Sequence, residues 1–181
     1  SVPGGRHPGH GTANRIIPLG DNYLELVSVV DPEEAAASGF GSWVAAGRER
    51  FPTLDALCLR SDDLGSVCDR LGLEPFAMGR KRPDGIELHW RLAGLEKALA
   101  EGLPFFMQWD VPPQLLPGRT PVSHPSGSVR ISEVVVSGDV ERLAAWVGDA
   151  SGLTLVEGPL RIVGVTIEGS GSELKLTGAG S

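Results

Sequence analysis

Cysteine is scarce in this sequence, with Cys58 and Cys68 the two among 181 residues. Two cysteines do not make a disulfide framework, so a fold held together by disulfides is excluded. Cys58 stands between Leu57 and Leu59 in an apolar run, and Cys68 lies beside Leu71 on a predicted helix. Because a free cysteine packs like a small apolar residue, we expect both side chains in the core.

The sequence also lacks long apolar runs and an excess of basic residues. No stretch approaches the roughly 18 apolar residues that cross a bilayer, and no signal-peptide pattern is present. Lys and Arg number 16 against 23 Asp and Glu, a formal charge of −7 that argues against a nucleic-acid or anionic-membrane partner. We therefore expect a cytoplasmic protein with neither partner. The basic run at 80–82 borders a predicted turn, and we expect it to be solvated rather than to bind an anion.

Two segments, residues 53–74 and 129–154, share one pattern of a strand, a polar cap and a helix. In both, a Ser or Asp precedes the helix and can accept hydrogen bonds from the N–H groups of its first turn. Apolar residues recur at helical spacing after it. Since more strands follow each helix, each segment predicts a βαβββ unit. The predicted strands are 54–59, 76–81, 86–92 and 104–109 in one unit, with a short helix at 95–100, and 131–136, 153–156, 162–168 and 173–176 in the other.

The beginning of the chain departs from this pattern. Residues 14–19 and 23–30 predict two strands around a Gly20-Asp21-Asn22 turn. They correspond to the last strands of a βαβββ unit whose opening strand and helix are absent. Either the sequence is a shortened form or another chain completes the unit, and we favour a shortened form. The predicted divisions are a partial first unit with a connector that is helical near 32–37 (1–52), a second unit (53–110), a linker rich in Pro, Ser and Gly (111–128) and a third unit (129–181).

Three stretches carry a resemblance to a known family: GGRHPGHGTAN at 4–14, YLEL at 23–26 and PFFMQWD at 104–110. On these the sequence resembles the glyoxalase-like domain family of the vicinal oxygen chelate superfamily, from residue 4 to about 110. Residues 129–178 resemble it by pattern only. The resemblance implies an α+β fold in which βαβββ units form curved mixed sheets around a cavity, as in glyoxalases and bleomycin-resistance proteins.

The resemblance also implies a divalent metal, held by a residue on the first strand of each unit and by a Glu on the last strand. Glu25 matches a last-strand Glu. The other ligand positions fall upstream of Ser1, at about Ala56 and Ser132, and at Gln108. Ala56 cannot bind a metal, and the uncharged amide of Gln108 is a weak ligand. We therefore expect a degenerate metal site with Glu25 as its one good ligand, and we assign no other cofactor.

Glu25 is the sharpest candidate for a catalytic residue. It alternates with Leu24 and Leu26 and so projects from the opposite face of its strand. Without a functional role, it would be a glutamate on a solvated sheet face. His10 is the second catalytic candidate, because imidazole transfers protons near neutral pH. His7 precedes it in the same Gly-rich loop and is a ligand-binding candidate. Without a functional role, both histidines would cap backbone groups in that loop.

Residues of the second unit complete the candidate site. His89 and Trp90 project to opposite faces of one strand, and one of them is expected to line a concave cavity with Gln108 and Trp109. The ligand-binding candidates are thus His7, His89, Trp90, Gln108 and Trp109. Without a ligand, the two tryptophans are core residues.

These candidates support two functions. The first is the binding of a small organic ligand in the sheet cavity, with a degenerate metal site. The alternative is a divalent-metal-dependent lyase, isomerase or dioxygenase that uses Glu25 and His10 as ligands. An interaction module built on the 111–127 loop has no support beyond that loop. If the protein forms an oligomer, a homodimer is the common symmetric form.

Overall fold

The computed structural model describes residues 1–50, 53–82 and 85–178. Within these residues the chain forms three sheets, of three, four and four strands. Five α-helices connect or cover the strands of this part of the chain. The fold is α+β with mixed sheets, as the sequence predicts. None of the described helices is both long and apolar enough to span a bilayer.

The first sheet is an antiparallel meander of β1 (Val2–His7), β2 (Thr12–Leu19) and β3 (Asn22–Val29). The loop between β2 and β3 contains Gly20 at φ 76°, a conformation that favours glycine, and the predicted hairpin is confirmed. Strand β1 was not predicted, because its glycines indicate a loop. The register shifts between Pro3 and Gly5, and this irregularity lets the Gly-rich segment pair with β2.

Two short helices follow β3, namely α1 (Pro32–Ala36) and α2 (Gly39–Gly47). Asp31 caps the first and Ser38 caps the second, each through its side-chain oxygen. The Glu34 carboxylate accepts hydrogen bonds from the backbone N–H groups of Gly9 and Gly11, at 2.7 and 3.0 Å. The helical connector predicted near 32–37 therefore holds the loop between β1 and β2. The end of this connector, at 51–52, lies outside the described residues.

The second sheet contains β4 (Cys58–Arg60), β5 (Phe76–Lys81), β6 (Glu87–Ala93) and β7 (Phe105–Trp109), with α3 (Leu64–Leu71) after β4 and α4 (Leu95–Glu101) after β6. Its strand order is β4-β7-β6-β5, and β4 runs parallel to β7. The opening and closing strands of this unit are therefore neighbours. Asp63 caps α3, and Gly72 ends it at φ 64°. Pro83 and Asp84 of the predicted turn lie outside the described residues.

The third sheet contains β8 (Arg130–Gly138), β9 (Leu153–Glu157), β10 (Arg161–Gly169) and β11 (Ser172–Thr177), with α5 (Val140–Val147) after β8. Its elements follow the order strand, helix and three strands, whereas in the second unit α4 separates the last two strands. The strand order also differs, because β8 lies inside the sheet between β10 and its parallel partner β9. Both segments begin with a strand and a helix, but their strands pair differently.

The third sheet covers one face of the first. Leu19 is 2% exposed and shares a core with the valines of β8, and Ile17 and Leu24 pack against the same cluster. Because side chains alternate along a strand, Asn14 and Glu25 lie on the other face. That face is directed at the second sheet.

The segment predicted as a linker packs along the first sheet. It contains two 3-10 turns, Pro113–Leu115 and Pro117–Arg119. Arg119 pairs with Asp21 at 2.7 Å, and the His124 ring lies 2.8 Å from the Pro18 carbonyl oxygen. The segment thereby closes one end of the space between the first and second sheets.

The two cysteines occupy different environments. Cys68 is buried, as predicted, but Cys58 is exposed. The expected core position was wrong for Cys58, because Leu57 and Leu59 pack into the core and alternation places the thiol on the opposite face.

Candidate functional site

Glu25 on β3 belongs to a polar group on the inner face of the first sheet. Its carboxylate accepts a hydrogen bond from the side-chain amide of Asn14 on β2. Its Oε1 also lies 3.6 Å from Nε2 of His7 on β1. Three neighbouring strands thus contribute one polar side chain each. The opposite face of β3 carries Leu24 in the core, which agrees with the predicted orientation of Glu25.

The imidazole of His7 is held on two sides. Its Nδ1 lies 2.8 Å from the hydroxyl of Thr12, which is its cross-strand partner and is 1% exposed. The ring of Phe40 on α2 meets the imidazole edge-on, with 5.6 Å between centroids. These contacts leave Nε2 directed toward Glu25.

The charge on Glu25 depends on opposing effects. Desolvation is the largest single influence and raises the pKa of this carboxyl. The polar contacts with His7 and Asn14 and the charge interactions with His7 and Arg80 together outweigh it, so the pKa lies below the usual value of 4.5. Glu25 keeps 35% of its side-chain surface exposed, and the carboxylate is ionised at neutral pH.

Glu25→Gln is expected to lower the free energy of unfolding at pH 7 by about 1 kcal/mol or less, because water screens a partly exposed carboxylate. Because the pKa of Glu25 is lower in the folded than in the unfolded protein, its ionised carboxylate stabilises the fold above pH 4.5. This stabilisation is lost as the pH falls through the folded-state pKa. The difference between wild type and variant should therefore shrink in acid. Urea unfolding at pH 7 and below pH 4.5 measures it, with the exposed Glu157→Gln as control. A difference that grows as pH falls would contradict this prediction.

Three more side chains belong to the polar group, Tyr23 on β3, Cys58 on β4 and Arg80 on β5. Desolvation raises the pKa of the Tyr23 phenol and of the Cys58 thiol, and the charge of Glu25 raises both further. The Cys58 residue is partly exposed to water. Protein atoms on the inner side of the sheet surround its thiol, and they cause the desolvation that raises its pKa. Both groups therefore stay protonated at neutral pH and are available as hydrogen-bond donors.

Two buried polar atoms in this group have no hydrogen-bond partner among the described residues, Oδ1 of Asn14 and Nη1 of Arg80. Both lie against the backbone of β1. A Cβ atom added at Gly4 would collide with the Asn14 amide, and one added at Gly5 would stand 2.6 Å from Nη1 of Arg80. Glycine at these positions makes room for the two side chains. Because an unpaired buried polar atom costs free energy, both side chains are held here at a cost to the stability of the fold.

A cavity of about 270 Å³ adjoins the polar group between the first and second sheets. Its apolar walls include Val2, Ile16, Leu88 and Leu115, and Arg80 reaches into it from the second sheet. The volume lies just under the roughly 300–1,000 Å³ typical of sites for drug-sized ligands. The cavity therefore suits a small organic molecule with an apolar part.

A larger depression, of about 370 Å³, lies on the third sheet. It is an open, polar surface whose lining includes Ser132, Thr166, Glu168 and Lys175. Neither of the unpaired buried atoms belongs to it. The smaller cavity combines apolar walls with convergent polar groups, the usual composition of a ligand site, and it is the stronger candidate. Ser132 itself donates a hydrogen bond to the Thr166 backbone carbonyl.

Of the two predicted catalytic residues, only Glu25 belongs to this polar group. The Nδ1 of His10 lies 2.6 Å from the hydroxyl of Ser38, and its ring meets Phe40 edge-on at 5.7 Å. His10 therefore lies at the start of α2, and His7 is the histidine beside Glu25.

The predicted residues of the second unit divide between the two faces of the second sheet. Gln108 accepts a 2.9 Å hydrogen bond from the N–H of Leu64 and so caps α3, away from the cavity. His89 is on the same outer face, with 61% of its side chain exposed. Trp90 and Trp109 are on the inner face, 5.2 Å apart between ring centroids, and pack in the core with Leu88 beneath the cavity.

The implied divalent metal fits the described residues poorly. Among residues 1–50, 53–82 and 85–178, no three His, Cys, Asp or Glu side chains come together to hold an ion. Glu25 and His7 lie side by side, but two ligands are fewer than a protein metal site needs. The position predicted at Ala56 precedes β4, whose inner face presents Cys58, and a thiol with a raised pKa is a poor ligand. We assign no step to a metal.

The curved sheets and the cavity beside the polar group define an α+β protein with a small, partly open cavity between two sheets. A family model described as "Glyoxalase-like domain" matches residues 1–156, and the chain belongs to this family, within the vicinal oxygen chelate superfamily. The match extends beyond residue 110, where the sequence motifs end, through β8 and α5. It contains every residue that lines the 270 Å³ cavity.

No curated protein matches the chain. The crystal structure of a hypothetical protein from Staphylococcus aureus is similar, with a TM-score of 0.67, 17% sequence identity, and coverage of 94% of this chain and 82% of that chain. This likeness shows a shared fold.

Proposed function

We propose that this glyoxalase-like domain binds a small organic ligand in the 270 Å³ cavity between the first and second sheets. The observation that carries the proposal is a small cavity with apolar walls that Arg80 enters from the second sheet. Nη1 of this arginine has no hydrogen-bond partner among the described residues. The apolar walls and the guanidinium together suit a small molecule that has an apolar part and a polar group.

The polar group beside this cavity contains the ionised Glu25 and, 3.6 Å from its Oε1, Nε2 of His7. Neither residue is among those that line the cavity, so we assign them no contact with the ligand.

A ligand-observed fluorine NMR screen of small fragments, both neutral and charged, tests the proposal. Leu115→Trp should fill the cavity, since Leu115 forms part of its wall. The matched control is Leu174→Trp, whose parent side chain is 55% exposed on the third sheet. We expect fragments that bind wild type and the control but lose binding to Leu115→Trp. Hits that bind all three proteins equally, or a screen without hits, would refute ligand binding in this cavity.

A metal-dependent lyase, isomerase or dioxygenase is the second candidate function, and the closeness of His7 and Glu25 favours it. Elemental analysis of the purified protein beside Glu25→Ala separates the two candidates. Stoichiometric divalent metal that disappears in Glu25→Ala would favour the metal enzyme. A metal-free protein that still binds fragments in the cavity would eliminate it.

A further inference from the structure

Arg80 occupies an unusual position for an arginine in a basic run. On β5 it is the cross-strand partner of Leu88, a residue only 1% exposed. Met78, two residues earlier on the same face, packs with the core of the second sheet. The side chain thus enters the interior and reaches the backbone of Gly5. The expectation of a solvated basic turn was therefore wrong for Arg80.

The guanidinium of Arg80 has no direct counter-ion among the described residues. Nη1 is buried and unpaired. Glu25 acts on it only through its charge, because that carboxylate is already bound by Asn14 and lies beside His7. None of the described residues that line the 270 Å³ cavity is acidic. Because a partly buried cation without a paired anion is costly, a negative group in this cavity would be stabilised by Arg80.

We infer that the ligand of this cavity carries a carboxylate that binds to Arg80, with its apolar part against Ile16, Leu88 and Leu115. The inference rests on the proposed function and adds the chemical class of the ligand to it. A guanidinium presents paired N–H donors that match the two oxygens of a carboxylate. The small, largely apolar cavity favours a singly charged group over a phosphate, which carries about two charges and more water.

Titration calorimetry with benzoate and benzamide tests the inference, because the two probes share a shape and differ in charge. A charge-assisted hydrogen bond contributes roughly 1.5–3 kcal/mol, or about 10- to 100-fold in affinity. We therefore expect wild type to bind benzoate at least about tenfold more tightly than benzamide. Arg80→Met should abolish this preference, and Arg80→Lys should restore part of it.

Lys81→Gln is the matched control, since Lys81 is the next residue of β5 and is exposed on the opposite face. It removes the same charge and should leave the benzoate preference unchanged.

Thermal unfolding of each variant supplies a second readout. Arg80→Met should melt at or above the wild-type temperature, because it removes an unpaired buried donor. A purely structural arginine would instead lower the melting temperature when replaced.

Several results would overturn the inference. The inference fails if wild type binds both probes equally. It also fails if the benzoate preference survives Arg80→Met, or if Lys81→Gln removes that preference too. If only neutral fragments bind in the cavity, ligand binding stands and the carboxylate assignment fails. If no fragment binds there at all, the proposed function fails with it.

Discussion

Replacing Gly41 with alanine is expected to lower the free energy of unfolding by about 1–3 kcal/mol, because overpacking against fixed backbone is costly. A Cβ atom at Gly41 would collide with the carbonyl oxygen of His10 and would stand 2.6 Å from the carbonyl oxygen of Ala35. Both are backbone atoms that cannot rotate away. The substitution would therefore separate α2 from α1 and from the loop that follows His7.

Gly39→Ala in the same helix is the matched control. No atom lies within 4 Å of a Cβ added there, so this variant should be neutral or up to about 1 kcal/mol more stable from helix propensity. Urea unfolding monitored by circular dichroism measures both variants. Equal stabilities of the two variants would contradict the close packing of α2 on the β1–β2 loop.

Leu88→Ala is the second change with a large expected effect. Leu88 is 1% exposed and packs with Trp90 and Leu92 on the inner face of the second sheet. Truncating a buried leucine removes about 3–5 kcal/mol of stability, and the site here borders a cavity that cannot collapse fully. Because Leu88 also lines that cavity, the variant should accept larger fragments than wild type does.

The control for Leu88→Ala is Leu174→Ala, on a side chain that is 55% exposed. Its effect should stay within roughly 0.5 kcal/mol. Denaturant unfolding gives the stabilities, and the fragment screen gives the change in ligand size. A loss below about 1 kcal/mol for Leu88→Ala would contradict its place in the core.

The sequence predicts most of the fold because the decisive signals are local. Alternation and turn residues locate the hairpin around Gly20, and polar caps at Asp63 and Asp139 mark the helices after β4 and β8. The pairing of strands depends on contacts between distant residues, which periodicity does not contain. The second and third units therefore look alike in sequence, although β4 lies at the edge of its sheet and β8 lies inside.

The site is predicted less completely than the fold. Alternation with Leu24 orients Glu25 correctly, and the same signal was present at Cys58 but was outweighed by its apolar neighbours. Alternation alone cannot say which face of β7 meets a helix, and so Gln108 was assigned to the cavity although it caps α3. The unexpected strand β1 decides that His7, rather than His10, lies beside Glu25.

The most direct measurement of ligand binding in this cavity is a two-dimensional NMR titration of the protein with the best fragment from the screen. The backbone amide signals of Gly4, Gly5, Asn14 and Arg80 should shift with one dissociation constant. Signals of the depression on the third sheet, such as those of Thr166 and Glu168, should stay in place. Shifts confined to that depression, or no shifts around the 270 Å³ cavity at saturating fragment, would contradict it.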